Sequence, residues 1–162
     1  MVVWIIGKSG SGKSFFAKKI AKILNKKKNV FWLDGDEFRK YISYDIGYSI
    51  KDRKINSKRI QNFCKFLETK NYFVICSILS VFPDHQKENK KIFKQYKQIY
   101  LKVENKILKE RNNKKIYSMK KNIVGVDIDF NKPYKSNLTI ENDFRNANQK
   151  INTILKTLNE TK

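Results

Sequence analysis

The chain has 162 residues, room for one compact domain, and its 40% hydrophobic and 13% aromatic content supplies a core and excludes disorder of the whole chain. The formal net charge of +21, from 36 basic against 15 acidic residues, is what a polyanion-binding protein would show. Split by type, however, the basic residues are 31 Lys and only 5 Arg, alongside 17 Asn and 20 Ile; adenine- and thymine-rich codons give that profile to any soluble protein, so no obligatory nucleic-acid partner is expected.

In chain order, Val2 to Ile6 is an unbroken apolar run that predicts a buried strand, followed by a glycine-rich turn. From Ser14 onward Phe16, Ala17, Ile20 and Leu24 recur at helical spacing. Val30 to Leu33 predicts a second strand, Asp36 to Ser43 a short helix, and Asp52 to Lys70 a longer one that Asp52 begins. Tyr72 to Leu79 reads as a third strand, Asp84 to Tyr96 as a polar helix, and Gln98 to Val103 as a fourth strand. Asn105 to Arg111 and Ile116 to Lys121 read as helical pieces, Leu138 to Ile140 as a fifth strand, and Asp143 to Leu158 as a closing helix. Strands alternating with helices imply βαβ units. The expected fold is therefore α/β, three layers, with a five-stranded parallel sheet and helices on both faces, as one domain over residues 1–162.

The apolar runs are too short to cross a bilayer and no charged leader precedes the first, so no membrane association and a cytoplasmic location are expected. Cys64 and Cys76 lack metal-ligand spacing and read as buried, reduced thiols.

Gly7, Lys8, Ser9, Gly10, Ser11, Gly12, Lys13 and Ser14 fit G-x-x-x-x-G-K-[ST], the phosphate-binding loop. The glycines let successive backbone N–H groups turn inward as an anion nest, Lys13 reaches the β- and γ-phosphates, and the Ser14 hydroxyl serves as a ligand to Mg²⁺. The following helix points its N-terminus at the same phosphates. The pattern predicts binding of ATP with Mg²⁺. The chain has only six glycines, and three lie in this loop.

After the second strand, Asp34-Gly35-Asp36-Glu37-Phe38-Arg39 falls at a strand's carboxyl end, where open α/β sheets bind ligands. These residues either supply a base, a metal-water contact and an anion clamp, or merely form a turn and an Asp-capped helix. Arg53, Asn56 and Arg59 are spaced three apart and share one helical face behind Gly47-Tyr48-Ser49. Three of five arginines thus fall in two segments near the ligand edge, where their fork geometry is not replaceable by Lys.

Together these segments resemble the adenylylsulfate kinases, P-loop kinases that phosphorylate the ribose 3′-hydroxyl of adenosine 5′-phosphosulfate. The ordered matches are Gly7 to Ser14; Asp34-Gly35-Asp36 with Arg39; Gly47-Tyr48-Ser49 with Asp52-Arg53 and Asn56; Leu79-Ser80-Val81; Arg111-Asn112-Asn113-Lys114-Lys115-Ile116-Tyr117; and Ile123-Val124-Gly125-Val126-Asp127. The resemblance implies that Asp36 meets the acceptor hydroxyl as base or metal-water contact, and that Arg39, Arg53 and Asn56 hold the acceptor's anionic groups, with Asp34 beside them. It implies a lid over residues 111–125 in which Arg111 serves the ATP phosphates and Lys114 the acceptor. It matches Ser80 to a serine sometimes assigned as a phosphorylated intermediate; in-line transfer needs positioning and charge neutralisation more than such a relay. It also allows a homodimer.

The departures are concentrated in the base pocket. Where the family holds adenine between two phenylalanines, this chain has Tyr48 and Ile123, and a lost aromatic face is worth about 1–3 kcal/mol of stacking. Glu37 stands where the family has Asn, and the stretch from Tyr117 to Gly125 is shortened. Retained phosphoryl-transfer residues with an altered base pocket point to a related acceptor, and the cytidine diphosphoramidate kinases of bacterial capsule decoration fit that description. The expectation is a kinase acting on cytidine diphosphoramidate, with adenosine phosphosulfate as the alternative acceptor. A P-loop nucleic-acid binder or polynucleotide kinase is the alternative of another class.

Overall fold

The computed structural model describes residues 1–110, 124, 130 and 133–159. Five strands, β1 (Val2–Ile6), β2 (Val30–Asp34), β3 (Phe73–Ile78), β4 (Tyr96–Lys102) and β5 (Leu138–Glu141), form one all-parallel sheet in the order β2-β3-β1-β4-β5. The α/β expectation is met. Central β1 is fully buried along its length, as its uninterrupted Val-Val-Trp-Ile-Ile run requires.

Because side chains alternate across a strand, each strand feeds two cores. On one face Val3, Ile5, Ile75, Ile99 and Leu101 pack with Phe16 and Ile20 of α1 (Lys13–Leu24) and with Ile151, Ile154 and Leu158 of α6 (Ala147–Asn159). On the other Val2, Trp4, Ile6, Val74 and Cys76 pack with Phe38 of α2 (Gly35–Tyr41) and with Ile60, Cys64 and Leu67 of α3 (Ile50–Thr69). Two shorter helices, α4 (Pro83–Ile92) and α5 (Asn105–Glu110), follow β3 and β4. Cys64 and Cys76 are buried and free, as read from the sequence, and burial pushes the Cys76 thiol up. Among the described residues no helix is long and apolar enough to cross a membrane.

The sheet order brings chain reversal to the carboxyl end of β1, since the path leaves β1 toward β2 and β3 and then crosses to β4. A crevice at such a switch point is where α/β sheets take ligands.

Several boundaries differ from the sequence expectation. Helix α3 begins at Ile50, not Asp52, because the Ser49 hydroxyl accepts from the Asp52 N–H while the Asp52 carboxylate receives the Ser49 N–H, a reciprocal cap. Helix α4 stops at Ile92 and β4 starts at Tyr96, because Phe93 turns extended, buries its ring and stacks on Tyr96 at 5.7 Å. The last helix starts at Ala147 rather than Asp143, because Phe144 and Asn146 take φ of 66° and 50°, outside helical space. The expected helical piece from Ile116 to Lys121 and the lid over 111–125, apart from buried Val124, lie outside the described residues.

Candidate active site

The loop between β1 and α1 has the shape the motif requires. Gly10 and Gly12 sit at φ of 77° and 92°, in the left-handed region that orients consecutive N–H groups toward one side. A side chain at Gly7 would lie 2.6 Å from the Leu101 carbonyl oxygen and 2.7 Å from Ser11 Oγ. The loop is therefore packed closely against the end of β4. Lys13 lies at the start of α1, and its Nζ donates to the Lys8 carbonyl at 2.8 Å. Burial lowers its pKa to about 8, although the carboxylates of Asp36 and Asp34 pull the other way.

Asp34 ends β2 opposite Ser77 of β3. Its Oδ2 accepts from Ser14 Oγ at 2.6 Å and Ser77 Oγ at 2.9 Å, while its Oδ1 accepts the Asp36 and Glu37 N–H groups and caps α2. Burial alone would raise the Asp34 pKa, but these four bonds outweigh it and hold the carboxyl below its ordinary value. Sequence matching placed Asp34 with the acceptor groups; the structure joins its carboxylate to the phosphate loop through Ser14. Of the two alternatives for the Asp34 to Arg39 segment, the cap is made, and the side chains of Asp36 and Arg39 lie beyond it on α2.

One turn along, Asp36 is exposed at the start of α2, and its charge is felt by Lys13, Arg39 and Arg53. Arg39 is 7% exposed and donates through Nη1 to the Gly47 carbonyl. Arg53 donates through Nε to the Tyr48 carbonyl at 3.0 Å. Both guanidiniums lie near the Tyr48 ring, at 4.9 Å and 5.6 Å from its centroid, while Tyr48 itself remains 48% exposed. Burial lowers the pKa of each arginine, and for Arg53 the nearby Arg39 charge lowers it further. Two guanidiniums thus share one half-exposed aromatic ring, a cation–π grouping that concentrates positive charge beside Tyr48. Asn56, on the buried face of α3, has an Oδ1 with no hydrogen-bond partner among the described residues.

Other expected residues fall elsewhere. Arg59 forks onto Asp45 at 2.5 and 2.8 Å, so its geometry serves to hold the loop between α2 and α3. Ser80 is fully buried, and its hydroxyl accepts from Gln86 Nε2 at 3.0 Å. The Ser9 backbone lies in the loop as expected, and Lys8 turns its ammonium onto Asn105 Oδ1 at 2.6 Å. Arg111, Lys114 and Ile123 lie outside the described residues. Sequence reasoning missed Asn142, whose amide donates to the Ser11 carbonyl at 2.9 Å; a contact spanning 131 positions leaves no local signal.

Comparison with known proteins decides the family. The family profile described as Adenylylsulphate kinase matches residues 1–141. The chain belongs to the adenylylsulphate kinase family. Among its relatives, a cytidine diphosphoramidate kinase of Campylobacter jejuni is 33% identical over 97% of this chain and 95% of that protein. An adenylyl-sulfate kinase of Clostridium acetobutylicum is 28% identical over 99% of this chain and 84% of that protein. In fold, the chain superposes with a TM-score of 0.90 on the Mycobacterium tuberculosis APS kinase solved in complex with AMPPNP and APS, at 23% identity and covering 98% and 97% of the two chains. The chain is thus a nucleotide kinase with a hydroxyl acceptor, on a P-loop kinase fold.

The site residues also fit the cofactor expected of this kinase family. Ser14 Oγ and Asp34 Oδ2 present two hard oxygen ligands 2.6 Å apart at the mouth of the phosphate loop. Mg²⁺ is commonly held by one or two protein oxygens with substrate phosphates and water, and these two oxygens match that donor set.

Proposed function

We propose that the chain transfers the γ-phosphoryl group of ATP to the ribose 3′-hydroxyl of a small nucleotide carrying two linked anionic centres, with cytidine diphosphoramidate as the preferred acceptor. The observation that carries this reading is the open Tyr48 ring flanked by Arg39 and Arg53, one turn of helix from Asp36. A single aromatic face suits a small pyrimidine, and two neighbouring guanidiniums suit a two-centre anion. The 33% identity to the Campylobacter jejuni cytidine diphosphoramidate kinase, over 97% of this chain, supports the same acceptor. Adenosine phosphosulfate is the second reading, supported by the family description and the adenylyl-sulfate kinase relatives.

In this reading the loop N–H groups and Lys13 hold the β- and γ-phosphates, Lys13 exchanging the Lys8 carbonyl for phosphate oxygens. Ser14 and Asp34 would hold Mg²⁺, which spreads the charge of the phosphate oxygens when bound. Arg39, Arg53 and Asn56 orient the acceptor's anionic end, and Tyr48 receives the base. Asp36 aims the 3′-hydroxyl in line with the γ-phosphorus and takes up its proton as the new P–O bond forms and the bond to ADP breaks. Arg111, Lys114 and Ile123 would close over this arrangement from the 111–125 stretch. Phosphorus NMR of reactions with ATP, Mg²⁺ and cytidine diphosphoramidate tests the assignment: a new phosphate coupled to H3′ is expected, and none with the 3′-deoxy analogue. Phosphorylation only of oligonucleotide ends would overturn it.

A further inference from the structure

The segment that follows β5 is built against the phosphate loop. Asn142 is 3% exposed, and its own N–H donates to the Lys102 carbonyl at the end of β4 at 2.7 Å. Its Oδ1 accepts from the Phe144 N–H at 3.2 Å and from Lys150 Nζ at 3.3 Å. That assignment leaves the NH₂ group to face the Ser11 carbonyl, 2.9 Å away. Lys150 closes the arrangement, donating also to the Asp143 carboxylate and to the Arg145 carbonyl at 2.8 Å. A side chain built at Gly12 would stand 3.3 Å from Asn142 Nδ2 and 3.6 Å from the Phe144 ring, so the two segments are in contact.

The consequence follows from peptide geometry. In a trans peptide the C=O and the next N–H point in opposite directions. No cis bond occurs among the described residues, so fixing the Ser11 carbonyl toward Asn142 aims the Gly12 N–H the other way, into the loop's concave face. Gly12 sits at φ of 92° and has no side chain to resist a flip of that peptide. The loop needs an external clamp at this point, and Asn142 supplies one.

We infer that Asn142, itself oriented by Lys150, is a positioning residue that holds the phosphate loop in its anion-binding form and so sets affinity for the donor's phosphates. The inference rests on the nucleotide-kinase reading. Titration calorimetry with a non-hydrolysable ATP analogue and Mg²⁺ tests it on the full chain, beside KM for each substrate and the melting temperature. Asn142→Asp keeps the size and the acceptor oxygen for Lys150 but sets an oxygen against the Ser11 carbonyl. The expected result is a tenfold or greater weakening of the analogue and a matching rise in KM for ATP, with the acceptor's KM unchanged and the melting temperature held. Lys150→Met, which frees the amide to turn, is expected to weaken the analogue about threefold and serves if Asn142→Asp does not fold. Binding within the error of wild type in the folded variants would overturn the inference alone. Failure of the wild-type chain to bind the analogue would overturn the kinase reading and the inference together.

Discussion

Replacing Asp34 separates its two duties, capping a helix and serving the phosphate loop. In Asp34→Ala the α2 cap is lost, worth about 1 kcal/mol. The buried Ser77 hydroxyl also loses a charged acceptor, worth about 1.5–3 kcal/mol, although Trp32 Nε1 still donates to it at 3.1 Å. Exposed Ser14 returns to water at little cost. The sum is roughly 2–4 kcal/mol, or about 5–15 °C in melting temperature for a chain of this size. In Asp34→Asn the Oδ1 cap survives and both hydroxyls can rotate to accept from the new NH₂, so the loss is about 1 kcal/mol or 2–4 °C. Because the carboxyl is held below its ordinary pKa, its contribution is present above the unfolded value, about 3.9, and is lost as pH falls through the folded one. Thermal unfolding from pH 3 to 7 should therefore show the wild-type advantage over Asp34→Asn shrinking on acidification below about 4. Initial rates with varied Mg²⁺ should show kcat falling at least tenfold in Asp34→Asn despite its small stability change. Equal destabilisation by Asn and Ala, with wild-type turnover in the Asn variant, would show that neither the Oδ1 cap nor the carboxylate charge does what is assigned to it.

Lys13→Met should abolish phosphoryl transfer yet raise the melting temperature of the ligand-free chain, since it removes a charge that burial disfavours. The Lys13 pKa is lowered to about 8 from 10.5, so the unfolded chain binds more protons between those values and wild-type stability should climb with pH there relative to the Met variant. Tyr48→Ala should raise the acceptor KM by roughly 5- to 150-fold, the equivalent of about 1–3 kcal/mol of base stacking, while Tyr48→Phe stays near wild type in steady-state assays. Asp36→Asn should lower kcat by about 100-fold or more while calorimetry finds ATP affinity unchanged.

The parts of the site carried by contiguous residues could be read from the chain alone. The phosphate loop combines fixed glycines with a preceding apolar strand and a following helix, and its required backbone shape leaves few other residue choices at Gly10 and Gly12. The Arg39, Tyr48 and Arg53 grouping could also be read, because α2 and the capped start of α3 are short and local. The position of Asp34 at a strand end shows in the sequence, whereas its bond to Ser14 depends on how β2 stands beside α1 and leaves no local signal. Ser80 matched a motif, yet its burial depends on Gln86 from α4, and the polar helix pattern gives no sign of that contact. Asn142 sits in a loop whose positive-φ turns at Phe144 and Asn146 broke an expected helix, and its partner is at the far end of the chain. Helix starts erred for a related reason, since a cap depends on backbone dihedrals that hydrophobic spacing does not encode.

Acceptor choice is read from side-by-side kcat/KM values for cytidine diphosphoramidate and adenosine phosphosulfate, with ATP and Mg²⁺ saturating and an oligonucleotide as third acceptor. A preference of about tenfold or more for cytidine diphosphoramidate is expected, equivalent to about 1.4 kcal/mol of transition-state discrimination. A preference of that size for adenosine phosphosulfate, or for the oligonucleotide, would contradict it.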